Sequence, residues 1–175
     1  MQTPIIETER IILRPLELSF ADDMFNNWTS DPEATKYVMF TTQTSVEETK
    51  DFVRMVEADH ESDNSYNWGF LLKETGEIFG SGGIEFSEER KMYVLGYIIR
   101  KSMWNKGLTT EAAKAMIDFA VNEAGITKIF SNHAKENIYS GKVLEKVGFV
   151  YQQDGTLTSI DGKRTYESRE YLLLV

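Results

Sequence analysis

The stretch with the clearest chemical potential is residues 104–111, where a single glycine lies between a Trp-Asn-Lys run and two threonines. The apolar run Met92–Ile99 before it indicates a buried strand, and apolar residues at helical spacing after it indicate a helix that ends at Gly125. A turn from a strand into a helix directs several unpaired backbone N–H groups, and the positive end of the helix dipole, at one place. The sequence therefore predicts a binding site for a phosphate or a pyrophosphate at this turn.

The spacing of glycines excludes two better-known phosphate loops. A P-loop needs two glycines followed by Lys and Ser or Thr, and a dinucleotide-binding fingerprint needs three glycines, whereas this stretch has only Gly107. An alternative interpretation gives the stretch no ligand at all, because Thr109 or Thr110 could simply be the N-cap of an ordinary helix.

Residues 104–112 resemble the acetyl-CoA-binding motif of the GNAT superfamily of N-acetyltransferases, which in one large branch reads Trp-Gly-Lys-Gly-Tyr-Ala-Thr-Glu-Ala. The positions that match are Trp104, Lys106, Gly107, Thr110, Glu111 and Ala112. Asn105 replaces a glycine, and asparagine tolerates positive φ. Thr109 replaces alanine or glycine and is bulkier, although its backbone N–H remains available. This branch resembles the enzymes that acetylate the N-terminal alanine or serine of ribosomal proteins.

A second motif supports the resemblance. The matching residues are Glu136, Asn137, Ser140, Val143, Glu145, Lys146, Gly148 and Phe149, in the family pattern Glu-Asn-x-x-Ser-x-x-Val-x-Glu-Lys-x-Gly-Phe. Taken alone, Asn137 is explained as a helix N-cap and Gly148 as a helix stop. Two motifs at the family's separation make the resemblance specific, and it covers essentially the whole chain.

The resemblance implies where acetyl-CoA binds. In the family, the strand that corresponds to Leu95–Ile99 splays away from the strand at residues 128–133, and free backbone groups in the opening bind the pantetheine arm. Lys106 would add charge near the phosphates, with Arg100 or Lys101 as further candidates. The implied cofactor-binding residues are Tyr97, Ile98 and Ile99 at the opening, Trp104, Asn105, Lys106, Gly107, Leu108, Thr109 and Thr110 at the pyrophosphate, and Asn137 and Ser140 beside the pantetheine and thiol.

Acetyl transfer to an amine needs a neutral amine, a polarised thioester carbonyl and a proton for the departing thiolate. Many family members place a tyrosine seven residues after the motif asparagine as the acid, but here that position is Leu144. Ser140 is therefore the first candidate for the acid and Tyr139 the second.

The base is less clearly indicated. An alkylammonium group has a pKa of about 10, so a base must remove a proton directly or through water. Many relatives carry a glutamate just before the Gly-Tyr of the splayed strand, where this chain has Leu95. Glu85, on the neighbouring predicted strand, is the first substitute, and Glu111 and His133 are alternatives.

The order of predicted elements agrees with the family's fold. Strands are predicted at residues 10–16, 66–73, 77–86, 92–99, 128–133, 149–153 and 165–174. Helices are predicted to begin at Ser19, at a capping box of Ser45 and Glu48, at Leu108 and at Asn137, and Asp31 and Pro32 begin another turn or two. We expect a mixed α+β fold, the GNAT acyl-CoA N-acyltransferase fold. It should have a single mixed, mostly antiparallel sheet of about seven strands with a splayed central parallel pair, flanked by about four helices.

Composition excludes several other classes of protein. There is no cysteine, and His60 and His133 are isolated in sequence, so no metal site is expected. No apolar run is long enough for a signal or a membrane span, which predicts a cytoplasmic protein without a membrane partner. No linker or repeat divides residues 1–175, so one N-acetyltransferase domain is expected.

The charge is divided unevenly along the chain. Residues 1–89 hold 19 acidic and 6 basic residues, whereas residues 90–175 hold 9 acidic and 13 basic ones. The acidic half argues against a nucleic-acid partner, and it indicates an acceptor that is a peptide N-terminus or a small cationic amine. The expected function is transfer of acetyl from acetyl-CoA to a primary amine in a ternary complex. A non-catalytic acyl-CoA-binding domain remains the alternative, and the protein is either a monomer or a homodimer.

Overall fold

The computed structural model of the chain describes residues 1–175 and contains one eight-stranded sheet. The strands are β1 (Ile6–Glu7), β2 (Ile11–Pro15), β3 (Ser65–Leu72), β4 (Ile78–Ser87), β5 (Met92–Ile99), β6 (Lys128–Ala134), β7 (Val150–Thr158) and β8 (Thr165–Leu174). Their order is β1-β2-β3-β4-β5-β6-β8-β7, and β5–β6 is the parallel pair among antiparallel neighbours. The mixed sheet with a central parallel pair is therefore confirmed. The eighth strand is β1, whose two residues are too few to show alternation in the sequence.

Four α-helices flank the sheet, as expected. They are α1 (Ala21–Met24), α2 (Val46–Ala58), α3 (Leu108–Asn122) and α4 (Ile138–Lys146), with a π-turn at Phe25–Thr29 directly after α1. The predicted capping box of Ser45 and Glu48 opens α2. None of the helices combines the length and the apolar character that a membrane crossing requires.

The segment after Asp31 and Pro32 forms hydrogen-bonded turns, as predicted, and does not continue as a helix. The Asp31 carboxylate accepts a bond from Glu33 N–H, as an N-cap would, and the Asp31 carbonyl accepts from Thr35 N–H at 3.0 Å. The carbonyls of Thr35 and Lys36 accept from the Arg164 guanidinium, and the Thr35 carbonyl also accepts from Val38 N–H at 3.4 Å.

The core lies on both faces of the sheet. The larger cluster packs α3 and α4 against one face, and it includes Trp68 and Phe119 in edge-to-face contact. The smaller cluster packs α1 and α2 against the other face and buries Trp28 completely. The two faces therefore have different helices, and a ligand that passes through the sheet would meet both.

The parallel pair β5–β6 is short. It is formed only at Tyr93 with Ile129 and at Val94 with Phe130. Beyond these pairs, the Ser131 hydroxyl donates to the Leu95 carbonyl at 2.9 Å. The strands then diverge and leave a gap beside the C-terminal half of β5, where the sequence predicted a splay.

Candidate active site

The turn before α3 has the backbone that an anion site requires. Asn105 and Gly107 have φ values of 60° and 75°, and residues 105–107 are exposed. Gly107 is the N-cap of α3, and no side chain caps the first N–H groups of that helix. The alternative in which Thr109 or Thr110 is an ordinary N-cap is therefore wrong. The unsatisfied N–H groups are available to a phosphate.

The bulkier residue of the motif does not obstruct this turn. Thr109 is 1% exposed, and its hydroxyl accepts a hydrogen bond from the Tyr139 hydroxyl at 3.2 Å. Its side chain is thus directed at α4 rather than at solvent. The same contact joins the first turns of α3 and α4.

The three candidate cations differ in their partners. Arg100 is ion-paired with Glu77, and Lys101 is ion-paired with Glu33. Lys106 is exposed and takes part in none of the chain's ion pairs. Lys106 is therefore the cation of the turn that is available to a phosphate.

The gap beside β5 offers backbone groups at alternate residues. Arg100 N–H donates to the Phe79 carbonyl of β4, and hydrogen-bonded positions alternate along an antiparallel pair. Ile98 therefore directs its backbone groups at β4, whereas Tyr97 and Ile99 direct theirs at the gap. The Ile99 carbonyl already accepts from the Trp104 indole N–H at 3.1 Å. The backbone groups that are left without a partner at the gap are the N–H and C=O of Tyr97 and the N–H of Ile99. The backbone of Ile98 and the Trp104 indole instead make hydrogen bonds within the protein.

Ser140 lies at the first turn of α4 with a tyrosine beside it. The Asn137 side chain accepts from Ser140 N–H at 3.4 Å, which makes it the N-cap of the helix. The Tyr97 hydroxyl lies 3.1 Å from Ser140 Oγ and donates to the Ser140 carbonyl at 3.3 Å. Burial raises the pKa of Tyr97 far above its usual value, although its hydrogen bond with Ser140 acts in the opposite direction. Tyr97 therefore stays protonated next to Ser140.

The opposite face of the sheet is open at Gly96. Gly83, which pairs with Gly96, is covered by the Asn67 side chain, whereas a side chain at Gly96 would meet nothing within 4 Å. If the parallel register of Val94 with Phe130 is extended by two residues, Asn132 lies across the gap from Gly96. The open surface at Gly96, beside the gap between β5 and β6, is called the groove below.

Two carboxylates flank this groove. Glu85 is exposed, lies on the face away from α3, and accepts from the Asn67 amide at 2.7 Å. Glu170 pairs with Asn132 across β6–β8, and its side chain is only 12% exposed. The Gln153 amide donates to Glu170 at 2.8 Å. The groove therefore has one solvated carboxylate on one side of the gap and one sheltered carboxylate on the other.

The two alternative bases do not face the gap. Both ring nitrogens of His133 have partners, with Nδ1 2.7 Å from the Ala134 carbonyl and Nε2 3.2 Å from the Tyr171 hydroxyl. Burial lowers the pKa of His133. Burial acts to raise the pKa of Glu111, but hydrogen bonds from Thr8 and Arg10 outweigh it and lower that pKa. Glu111 is thus engaged on the far side of α3.

Residues 31–42, called the strap below, run across the end of the sheet. One guanidinium holds much of it, because Arg164 donates to several strap carbonyls. They are those of Thr35, Lys36, Val38 and Phe40, at 2.6–3.3 Å. The Tyr37 hydroxyl donates to the Glu136 carboxylate at 3.2 Å, and Glu33 pairs with Lys101. The strap therefore joins the β7–β8 turn, the start of α4 and the turn before α3.

Three residues of this site escaped the sequence analysis: Glu170, Arg164 and Arg10. Glu170 gives no distinguishing signal, because Glu167 and Arg169 lie in the same strand and only the register of β6 with β8 places Glu170 opposite Asn132. Arg164 and Arg10 give none, because their partners lie 96 or more residues away in sequence.

Comparison with known proteins assigns the family. The family model described as an acetyltransferase (GNAT) domain matches residues 10–150. The uncharacterized N-acetyltransferase p20 of Bacillus licheniformis is 32% identical over 151 residues, which cover 86% of this chain and 83% of that protein. The ribosomal-protein-S5-alanine acetyltransferase of Vibrio fischeri has a TM-score of 0.82 at 16% identity, covering 98% of this chain and 96% of that one. Microcin C7 self-immunity acetyltransferase MccE, solved with acetyl-CoA and AMP, has a TM-score of 0.81 at 15% identity, covering 96% and 94%.

The chain belongs to the GNAT family and is an acetyltransferase. Members of this family use acetyl-CoA and act on amine acceptors. The resemblance drawn from the two motifs is thereby confirmed, together with the fold that it implied.

Proposed function

We propose that the protein transfers acetyl from acetyl-CoA to a positively charged primary amine, either a peptide N-terminus or a small cationic amine, by direct attack in a ternary complex. The observation that carries the proposal is the two-sided opening between β5 and β6. On the α3 side the opening meets an uncapped helix N-terminus, and on the other side it meets a groove flanked by two carboxylates. The first suits a pyrophosphate and the second suits an ammonium group.

In this proposal the cofactor lies along residues that already have the necessary groups free. The N–H groups at Gly107, Leu108 and Thr109 bind the pyrophosphate, with Lys106 as a further charge. Tyr97 and Ile99 offer backbone groups to the pantetheine, and one such N–H polarises the thioester carbonyl. Asn137 positions Ser140 by capping α4.

The proton transfers balance with two protein groups. The ammonium first loses one proton through water to Glu85, and the neutral amine attacks the thioester carbon. The C–S bond then breaks and Ser140 protonates the thiolate, and the second amine proton, lost as the amide forms, passes through water to the Ser140 oxygen and restores its hydroxyl. Tyr97 stays protonated throughout and holds Ser140 by their hydrogen bond. Tyr139 is the second candidate for the acid, but its hydroxyl is donated to Thr109.

Glu85 and Glu170 have different tasks in this scheme. Glu85 is exposed and can exchange its proton with solvent, as a base must after each turnover. Glu170 is sheltered, and its carboxylate accepts from Gln153 and lies 3.7 Å from an Arg90 guanidinium nitrogen, so Arg90 offsets part of its charge and Glu170 is a secondary contact for the cation rather than the base. The excess of acidic residues in the first 89 positions attracts the same cation from a distance.

The test is an amine panel with release of CoA thiol as the readout. We expect cationic amines to have higher kcat/KM than matched anionic ones, and we expect this preference to weaken as salt screens exposed charges beyond about 8 Å. Glu85→Gln should lower kcat, and Glu170→Gln should raise KM for cationic acceptors. CoA binding without turnover on any amine would instead establish a non-catalytic acyl-CoA-binding domain. Equal rates for both charge classes would refute the cationic acceptor.

A further inference from the structure

We propose that Arg10 is a positioning residue for the pyrophosphate turn, and that it acts by fixing the orientation of the peptide between Lys106 and Gly107. The inference rests on the proposed acetyl-CoA site. Arg10 lies outside both motifs and directly precedes β2, far from the turn in sequence. In the folded chain its side chain connects the Lys106–Gly107 part of the turn to the start of β2.

Arg10 makes hydrogen bonds both to the turn and to the Glu111 carboxylate. Its Nη1 donates to the Lys106 carbonyl at 2.9 Å, and its Nε donates to Glu111 at 2.7 Å. The backbone N–H of Arg10 donates to the other oxygen of Glu111 at 2.8 Å, and the Thr8 hydroxyl donates to that oxygen at 2.6 Å. Each oxygen of the Glu111 carboxylate is therefore engaged, and the guanidinium has little freedom to rotate.

Peptide geometry converts this contact into an orientation. The chain has no cis peptide bond, and in a planar trans peptide the C=O and the following N–H point in opposite directions. Because the Lys106 carbonyl points at Arg10, the Gly107 N–H points away from it. An orientation fixed before the ligand arrives avoids the ordering penalty of binding.

The chain is rigid at both ends of the contact between Arg10 and Lys106. Ile11, the next residue after Arg10, is fully buried, and Leu108, the first residue of α3, is 4% exposed. Residues 105–107 between these buried residues are exposed, so Arg10 provides restraint that packing does not. A planar guanidinium can reach two acceptors in a fixed geometry, which a lysine ammonium on a flexible stem does not reproduce.

This role predicts a defect that depends on the phosphates of the donor. For Arg10→Ala we expect kcat/KM with acetyl-CoA to fall about tenfold or more, the size expected for losing a charge-assisted hydrogen bond. With acetyl-pantetheine, which has no pyrophosphate, we expect no change. Arg10→Lys keeps the charge but not the paired contacts, and it should remain close to Arg10→Ala.

The matched control is Arg14→Ala, which removes an exposed arginine of β2 that pairs only loosely with Glu17, at 3.5 Å. It should leave both donors unaffected, and thermal unfolding checks that each variant is folded. Equal losses with both donors would overturn the proposal, as would full recovery by Arg10→Lys, which would make Arg10 a general source of charge. If the unaltered protein binds no CoA, the proposed function fails. If it binds CoA and Arg10→Ala behaves like Arg14→Ala, only this inference fails.

Discussion

Replacing Gly107 by alanine tests the pyrophosphate turn with the smallest possible change. Gly107 has a φ of 75°, and an added Cβ would come no closer than 3.4 Å to its nearest neighbour, Arg10 Nη2. The substitution therefore introduces backbone strain but no steric clash. A left-handed conformation costs an L-residue about 1–2 kcal/mol.

The strain should appear in cofactor binding. Residues 105–107 are exposed, so the free variant can relax to another conformation and must return to the left-handed one when CoA binds. A penalty of about 1–2 kcal/mol corresponds to a Kd that is about five- to thirtyfold higher. Calorimetric titration of CoA into the folded variant measures this directly.

Gly76 is the matched control. Its φ is 72°, and an added Cβ would meet nothing within 4 Å, but it lies in the β3–β4 hairpin. There the chain is held by Gly76 N–H to the Leu72 carbonyl, at 2.8 Å. Gly76→Ala should therefore lower Tm by about 2–8 °C and leave the Kd for CoA unchanged. A Kd for Gly107→Ala that stays within about twofold of the original would refute the role of this turn.

The remaining predictions concern chemistry, the strap and pH. Ser140→Ala should lower kcat about a hundredfold with little change in CoA affinity, whereas normal turnover together with a slow Tyr139→Phe variant would reverse the ranking of the two acids. Arg164→Ala should destabilise the strap by roughly 2–3 kcal/mol, which should be measured as faster amide exchange at residues 35–40. Unchanged exchange there would show that the hydrogen bonds from Arg164 do not hold the strap. Because burial lowers the pKa of His133, the unfolded chain binds more protons in acid. The free energy of unfolding should therefore fall from about pH 7 to about pH 5. His133→Gln should flatten that slope, and an equally steep slope in the variant would assign it to other groups.

Local signals predicted the elements of the fold well. Glycines with positive φ end helices where the sequence placed them, at Gly125 and Gly148. The strand Met92–Ile99 has the predicted bounds. By contrast, β7 extends to Thr158 rather than Gln153, because pairing with β8 continues through a stretch whose polar residues give no clear alternation.

Long-range contacts set the limit of prediction. The π-turn after α1 leaves no periodic signature, and the turns after Asp31 depend on an arginine far along the chain. The motifs located the pyrophosphate turn because backbone geometry there is local. The second carboxylate of the groove, Glu170, could be placed only when the register of β6 with β8 was known.

The hydrogen bonds from Arg164 to the strap also have a consequence for how the protein folds. Arg164 joins its own turn to residues 124 to 129 positions away, whereas β7 and β8 themselves pair as a local hairpin. Contacts across such long loops form late, since the closure entropy is lost before any contact compensates for it. The hairpin of β3 and β4 and the local caps of α2 can form first. Substitutions at Arg164 should therefore speed unfolding and leave the rate of folding nearly unchanged, so that the strap is the last part to assemble and the first to open.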